Sequence, residues 1–133
     1  AGGFESLYRS TIIPSIFSDR FLSENKDRMN DVVASTLARI KHESAIGMIE
    51  AAIDFGYSPK EISEIKVGAL LMSGDGDLFS PPFTIEQTRE AWGKSEYYKF
   101  NNCAHFPQRE SLEEYVSVVK EYLIRKTLEL SGI

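Results

Sequence analysis

Cysteine is almost absent from this chain. Cys103 is the only one in 133 residues, so no internal disulfide can form, and a reducing, cytoplasmic setting is the expectation. Basic residues are in deficit, with 15 Lys and Arg against 20 Asp and Glu and a net charge of −5. No Lys/Arg cluster stands out, which argues against a nucleic-acid partner. Long apolar runs are lacking too; the longest are only a few residues, too short to span a bilayer, so no membrane partner is expected. The first residues, Ala1-Gly2-Gly3-Phe4-Glu5, have neither the basic n-region nor the apolar h-region of a signal peptide. There is no internal repeat and no low-complexity segment. What remains is ordinary for one soluble globular domain, 42% apolar and 26% charged.

The N-terminal half reads as helical. Residues 1–18 mix Gly, Ser, Thr and one Pro with scattered aromatics, as a linker or short helix leading into a larger body. Asn25 is placed to cap a helix running to about Lys41, with Met29, Val32, Val33, Leu37 and Ile40 on one stripe. Ser44 is placed to cap another carrying Ala45, Met48, Ile49, Ala52 and Ile53, and Gly56 to end it. Ser58-Pro59-Lys60-Glu61 is a helix start, with Ser as N-cap, Pro at the first helical position and Glu at the third. Phe17, Phe21, Met48 and Phe55 fit core packing; the sharper alternative is that some of them line an apolar pocket over an active site.

The C-terminal half has a strand–loop–helix grammar. The run from Lys66 to Ser73 is continuous and apolar, as expected for a strand covered on both faces. Thr84 with Gln87 forms a capping-box pattern for a helix through Trp92. Glu96 to Phe100 is aromatic-rich and reads as a second strand. Ser111 with Glu114 is another capping-box pattern, opening a helix with Leu112, Tyr115, Val116, Val119, Tyr122 and Leu123 on one face. The succession implies a parallel sheet. Two such strands need neighbours, so either the pairing continues in another polypeptide or the chain folds as something other than this pattern suggests.

The chemistry sits in the two loops after these strands. The first reads Ser73-Gly74-Asp75-Gly76-Asp77-Leu78-Phe79-Ser80-Pro81 and the second Asn102-Cys103-Ala104-His105-Phe106-Pro107. Asp and Gly after a strand are common turn formers, and a lone loop His is often an ordinary surface residue. A calcium loop would use Asp75, Asp77 and Glu86 at positions 1, 3 and 12, but Phe79 stands where a ligand is wanted and Ser80 where Gly is required. Cys103 and His105 have no second pair to complete a metal site, and Cys103 is poorly placed as a nucleophile. Joint placement lifts Asp77 and His105 above these readings: parallel α/β sheets put their sites at the carboxyl ends of strands. A carboxylate on one imidazole nitrogen leaves the other to take a proton from a nucleophile.

From about Phe17 to Leu123 the chain resembles the C-terminal portion of an α/β-hydrolase of the esterase, lactonase and epoxide-hydrolase type. The stretch from Ile65 through Asp77 and Pro81 is similar to the family's penultimate strand and acid loop, with Asp77 rather than Asp75 matching the triad acid. Ala104-His105-Phe106-Pro107, followed by Glu110 and the helix from Ser111, resembles the histidine loop. The helices between Asp19 and Gly56 look like the cap, and Ser58–Ile65 like the return to the sheet. Gly68 stands where the family usually has Pro, and Ala104 where it usually has Gly. There is no Gly-x-Ser-x-Gly elbow, no oxyanion-hole segment and none of the earlier strands.

The resemblance implies an α/β fold: the last two parallel strands of a hydrolase sheet with flanking helices, plus a helical cap. Residues 1–57 form the linker and cap region, and 58–133 the C-terminal part of the core. The expected activity is a serine-type hydrolase of carboxylic esters or lactones, with Asp77 as triad acid and His105 as triad base. Phe17, Phe21, Met48, Phe79 and Phe106 are the candidate substrate-pocket residues. No cofactor and no metal is implied. The expected partners are a complementary N-terminal half that supplies the nucleophile, as a separate chain or a removed segment, and a small apolar ester-like substrate; an oligomer is left open. The alternatives are a non-catalytic small-molecule receptor or scaffold on the same architecture, a dehalogenase or epoxide hydrolase with an Asp nucleophile, and a stand-alone helical interaction protein.

Overall fold

The structure, a computed structural model, describes residues 3–40, 42–54 and 56–132. Phe55 and Lys41 lie outside the described residues, as do the side chains of Ala45 and Ile53. The N-terminal segment takes the helical option. Helix α1 (Gly3–Leu7) runs through a π-helical turn (Tyr8–Ile12) into α2 (Ile13–Ile16). The chain becomes extended at Phe17, and Ser18 caps α3 (Asp19–Glu24) by accepting the Phe21 N–H at 3.2 Å. Helix α4 spans Lys26–Leu37 and α5 His42–Asp54.

Apolar spacing on these short helices builds a small core. Ile13, Ile16, Phe17 and Val33 are buried together, and Tyr8, Ile12, Phe21, Leu22, Met29, Leu37 and Phe106 pack around them. Met29, Val33 and Leu37 of the α4 stripe therefore face inward as its periodicity predicts, whereas Val32 is half-buried outside this core and Ile40 lies beyond the helix and is exposed. Asn25 sits at the N-cap position, but its side chain donates backwards to the Phe21 carbonyl at 2.9 Å instead of capping. Ser44 is no cap either, since α5 starts two residues earlier, at His42. Met48, expected in a core or a pocket, is 74% exposed. Ile46 and Ile49 on the same helix are exposed too, so these three side chains of α5 join no core among the described residues.

Ser58 and Glu61 form the expected capping box at α6 (Pro59–Ser63). Strand β1 (Ala69–Gly74) follows, beginning three residues after Lys66, and α7 (Pro82–Ala91) leads to β2 (Ser95–Phe100). The strands pair in parallel, from Ala69 opposite Ser95 to Gly74 opposite Phe100. Most of β1 is half-buried rather than covered on both faces. Among the described residues the sheet has these two strands, so each keeps one unpaired edge.

Two capping-box patterns do not form as read. Helix α7 starts at Pro82 with Pro81 as N-cap, so Thr84 lies inside it; proline at the first helical position lacks only an N–H that would be unsatisfied anyway. Ser111 is the N-cap of α9 (Leu112–Ser131), which follows the short α8 (Pro107–Glu110), yet its side chain makes no cap bond. The Glu114 carboxylate instead accepts from the Tyr98 hydroxyl at 2.7 Å. This bond ties α9 to β2. So do the Phe100–Tyr115 ring stack and the two-pronged Arg125–Glu96 pair, which with Lys126 holds the Glu96 carboxyl down to about 2. The face expected for α9 splits: Tyr115, Val119 and Tyr122 are half-buried, whereas Leu112, Val116 and Leu123 are exposed. No helix among the described residues is long and apolar enough to cross a membrane.

Val33 is 1% exposed, so Val33→Ala is expected to destabilise the protein by about 2 kcal/mol in chemical denaturation. Met48→Ala is expected to change stability by less than about 0.5 kcal/mol, as exposed substitutions do.

Candidate active site

At the carboxyl end of β1 the chain turns through Gly74-Asp75-Gly76-Asp77; at the carboxyl end of β2 it turns through Asn101-Asn102-Cys103. Asn102 takes φ 52°, a left-handed conformation that Asn tolerates better than most residues. The turns are stitched together. Asp75 N–H donates to the Phe100 carbonyl at 2.8 Å, Gly76 N–H to the Cys103 carbonyl at 2.9 Å, and Cys103 N–H to Asp75 Oδ1 at 3.1 Å. Asp75 thus has a structural task distinct from that of Asp77. Gly74 makes the approach feasible: a Cβ there would fall 2.2 Å from the Cys103 carbonyl oxygen and 2.4 Å from that of Ala104.

The Asp77 carboxylate is 4% exposed. Its Oδ1 accepts the backbone N–H groups of Phe79 and Ser80, each at 2.9 Å. His105 Nδ1 lies 3.0 Å from Asp77 Oδ2 and 3.2 Å from Oδ1. A carboxylate can only accept here, so Nδ1 is the donor, and in the neutral imidazole Nε2 is left with the lone pair. The His105 side chain is 35% exposed, so the ring is open to approach while its partner is sealed beneath it. The loop backbone is held as well: His105 N–H donates to the Ile16 carbonyl at 3.1 Å and Ala104 N–H to Glu110 Oε1 at 3.1 Å.

Four of the five aromatic and Met residues expected to line a pocket gather near this pair. Phe106 meets the His105 ring edge-on at a centroid distance of 5.1 Å, Phe17 lies 5.5 Å from Phe106, and Phe21 stacks on Phe17 at 4.9 Å. Phe79 also lies beside the imidazole, at a centroid distance of 5.5 Å, and is exposed. Met48 is the exception described above. Phe17 and Phe21 line a cavity of about 520 Å³ with Met29 and Arg109, but neither Asp77 nor His105 belongs to that lining. Phe17 is therefore core that supports the histidine loop.

Cys103 is fully buried, and burial pushes its thiol up to about 12, with the Glu110 carboxylate adding to the effect. It stays a thiol at neutral pH and is no nucleophile. Among the described residues no group of three or more His, Cys, Asp and Glu is gathered to hold a metal ion. Sequence reasoning did not find the parts played by Gly74, Ser18 and Glu110. Gly74 has a readable signal, a glycine at a strand end facing a second loop; the bonds of Ser18 and Glu110 span 92 residues and leave no local trace.

Together the two strands and their loops have the fold of the C-terminal portion of an α/β hydrolase. The chain matches the crystal structure of an α/β hydrolase enzyme from a Medee basin deep-sea metagenome library with a TM-score of 0.75 at 22% identity, over 92% of this chain and 45% of that one. In sequence it is 33% identical over 70 residues to a proline iminopeptidase of Lactobacillus helveticus, and 30% identical over 70 residues to those of Lactobacillus acidophilus and Lactobacillus crispatus. Each sequence match takes in 53% of this chain and spans 23% of the relative's length. No family model matches the sequence.

Gly74→Ala is expected to force the two loops apart, because both atoms it would strike are backbone. The cost should be several kcal/mol, on the order of the largest single-substitution effects. A thermal melt measures the loss, and a lost Nδ1–Asp77 bond in His105 NMR would accompany it.

Proposed function

We propose that this chain carries the acid and base of a hydrolase that cleaves carboxylic esters or lactones, with the nucleophile supplied by a complementary N-terminal half. The observation that carries this reading is the bond from His105 Nδ1 to a buried Asp77 carboxylate, itself fixed by two backbone N–H groups. In such an enzyme Nε2 takes the proton from a serine hydroxyl as its oxygen attacks the acyl carbon. The imidazolium, stabilised by Asp77, then protonates the leaving alkoxide. Water attacks the acyl-enzyme in turn, giving its proton to the same nitrogen; the imidazolium passes that proton to the serine oxygen as the acyl–oxygen bond breaks, releasing the acid and restoring the serine hydroxyl and neutral His105. The exposed Phe79 beside the ring favours an apolar group on the substrate.

Support for a complement comes from the open strand edges and the exposed Leu112, Val116 and Leu123 of α9. A buried, unpaired edge would cost about 1–3 kcal/mol per unsatisfied group. The sequence match to proline iminopeptidases favours a second reading, cleavage of an amide bond beside proline, for which the same pair would serve. In both readings the site needs no cofactor.

In the assembled protein, His105→Ala and Asp77→Asn are each expected to lower kcat by roughly 10³–10⁴-fold, the second by favouring the wrong tautomer. Asp75→Asn should cost far less, since an amide oxygen still accepts the Cys103 N–H; equal losses at both aspartates would contradict the assignment. Parallel assays with p-nitrophenyl butyrate, a γ-lactone and prolyl-p-nitroanilide separate the two substrate classes, and no turnover of any acyl substrate would support a binding protein instead. Residues 1–133 expressed alone are expected to associate or precipitate, whereas a monodisperse monomer with one sharp unfolding transition would overturn the need for a complement.

A further inference from the structure

Among the described residues, the buried acid that the chemistry above leaves unused is Glu110, which is 7% exposed at the end of α8. Its two oxygens face different parts of the chain. Oε1 accepts the N–H of Ala104, the residue before His105, at 3.1 Å. Oε2 accepts the Ser18 N–H at 3.1 Å and also bonds the Ser18 hydroxyl. Arg20 reinforces the join from the same N-terminal segment, its guanidinium donating to the Glu110 carbonyl at 3.0 Å and to the Asn102 carbonyl at 3.4 Å. With the His105 N–H on the Ile16 carbonyl, residues 16–18 and 104–105 are bound on both sides of Phe17.

We propose that Glu110 is a positioning residue for the Asp77–His105 pair, holding the histidine loop against Ser18 through the two oxygens of one carboxylate. The reason lies in what otherwise fixes the imidazole. The bond to Asp77 restrains the ring but not the loop backbone beneath it; that backbone is tied to the N-terminal segment by the His105 N–H on the Ile16 carbonyl and by Glu110 on Ala104 and Ser18, and Phe106 packs on Phe17, the residue before Ser18. Glu110 closes that loop mechanically: it returns from the turn begun at Pro107 to the backbone immediately before His105, while its Oε2 fixes the segment that Phe106 rests on. A displacement of Ser18 is thereby passed to the atom that carries His105. The consequence for turnover rests on the hydrolase reading; the consequence for the imidazole does not.

The test uses two readouts in the assembled protein. The chain has two histidines, so ¹⁵N-histidine labelling, with His105→Ala for assignment, isolates the His105 Nδ1 proton. Glu110→Ala should shift that resonance away from its carboxylate-bonded position and broaden it by solvent exchange, and should lower kcat by about 10²-fold with KM little changed, the penalty of a slightly misplaced catalytic group. Glu110→Gln keeps one acceptor oxygen and should show a smaller change in both. Ser58→Ala, which removes the N-cap of α6 and bonds no residue of the histidine loop, should lower the melting temperature and leave the resonance in place. An unmoved resonance and unchanged kcat in both Glu110 variants, with only a lower melting temperature, would overturn the proposal. A moved resonance in a protein whose wild type turns over no acyl substrate would sustain the positioning role and refute the hydrolase reading.

Discussion

Two backbone turns approach at the carboxyl end of the sheet so closely that the space between them admits a hydrogen atom and not a methyl group. Gly74 lies against the carbonyl oxygens of Cys103 and Ala104, and the hydrogen bonds of Asp75 and Gly76 lock the turns in that contact. The geometry of the acid and imidazole follows from it. Asp77 lies three residues beyond Gly74 and His105 one beyond Ala104, so fixing the backbone at the contact fixes the separation of the two side chains. The strand pairing supplies the parallel register that brings the turns side by side, ending with Gly74 opposite Phe100.

A second set of contacts sets what lies under the imidazole. The rings of Phe21, Phe17, Phe106 and His105 form a continuous column, and Phe17 is among the most buried residues of the helical segment. The N-terminal helices and the histidine loop are thus one packing unit, although most of the chain separates them in sequence. Aromatic burial of this kind is worth more than its area alone, because edge-on and offset contacts add to it. It leaves the His105 side chain 35% exposed, with Phe79 also beside the ring.

The parts legible in the sequence were those with short-range physics. An apolar run followed by Gly and Asp marked β1 and its turn, an aromatic run followed by Asn-Asn marked β2, and alternation with helices implied the parallel sheet that forms. The capping box at Ser58 was legible because all of its partners lie within four residues. Glu114 had the right spacing for the same motif, but Tyr98 engages it from another element, a bond no local pattern reports. Thr84 failed for a different reason: the prolines before it already set the helix in motion. Met48 had a helical spacing that suits a core and lacks a surface to meet, since periodicity records which face is apolar and not what covers it.

The π-helical turn at Tyr8–Ile12 carries its own consequence. Each residue of a helix advances about 100° around the axis, so the number of residues in that turn decides where Ile13 and Ile16 point. Both point into the core, and the Ile16 carbonyl reaches the His105 N–H. Chain length between residues 8 and 12 is therefore as much a specification of the histidine loop as any side chain near it. A variant one residue shorter there, with every loop residue in place, would turn the whole second half of the helix to a different compass bearing.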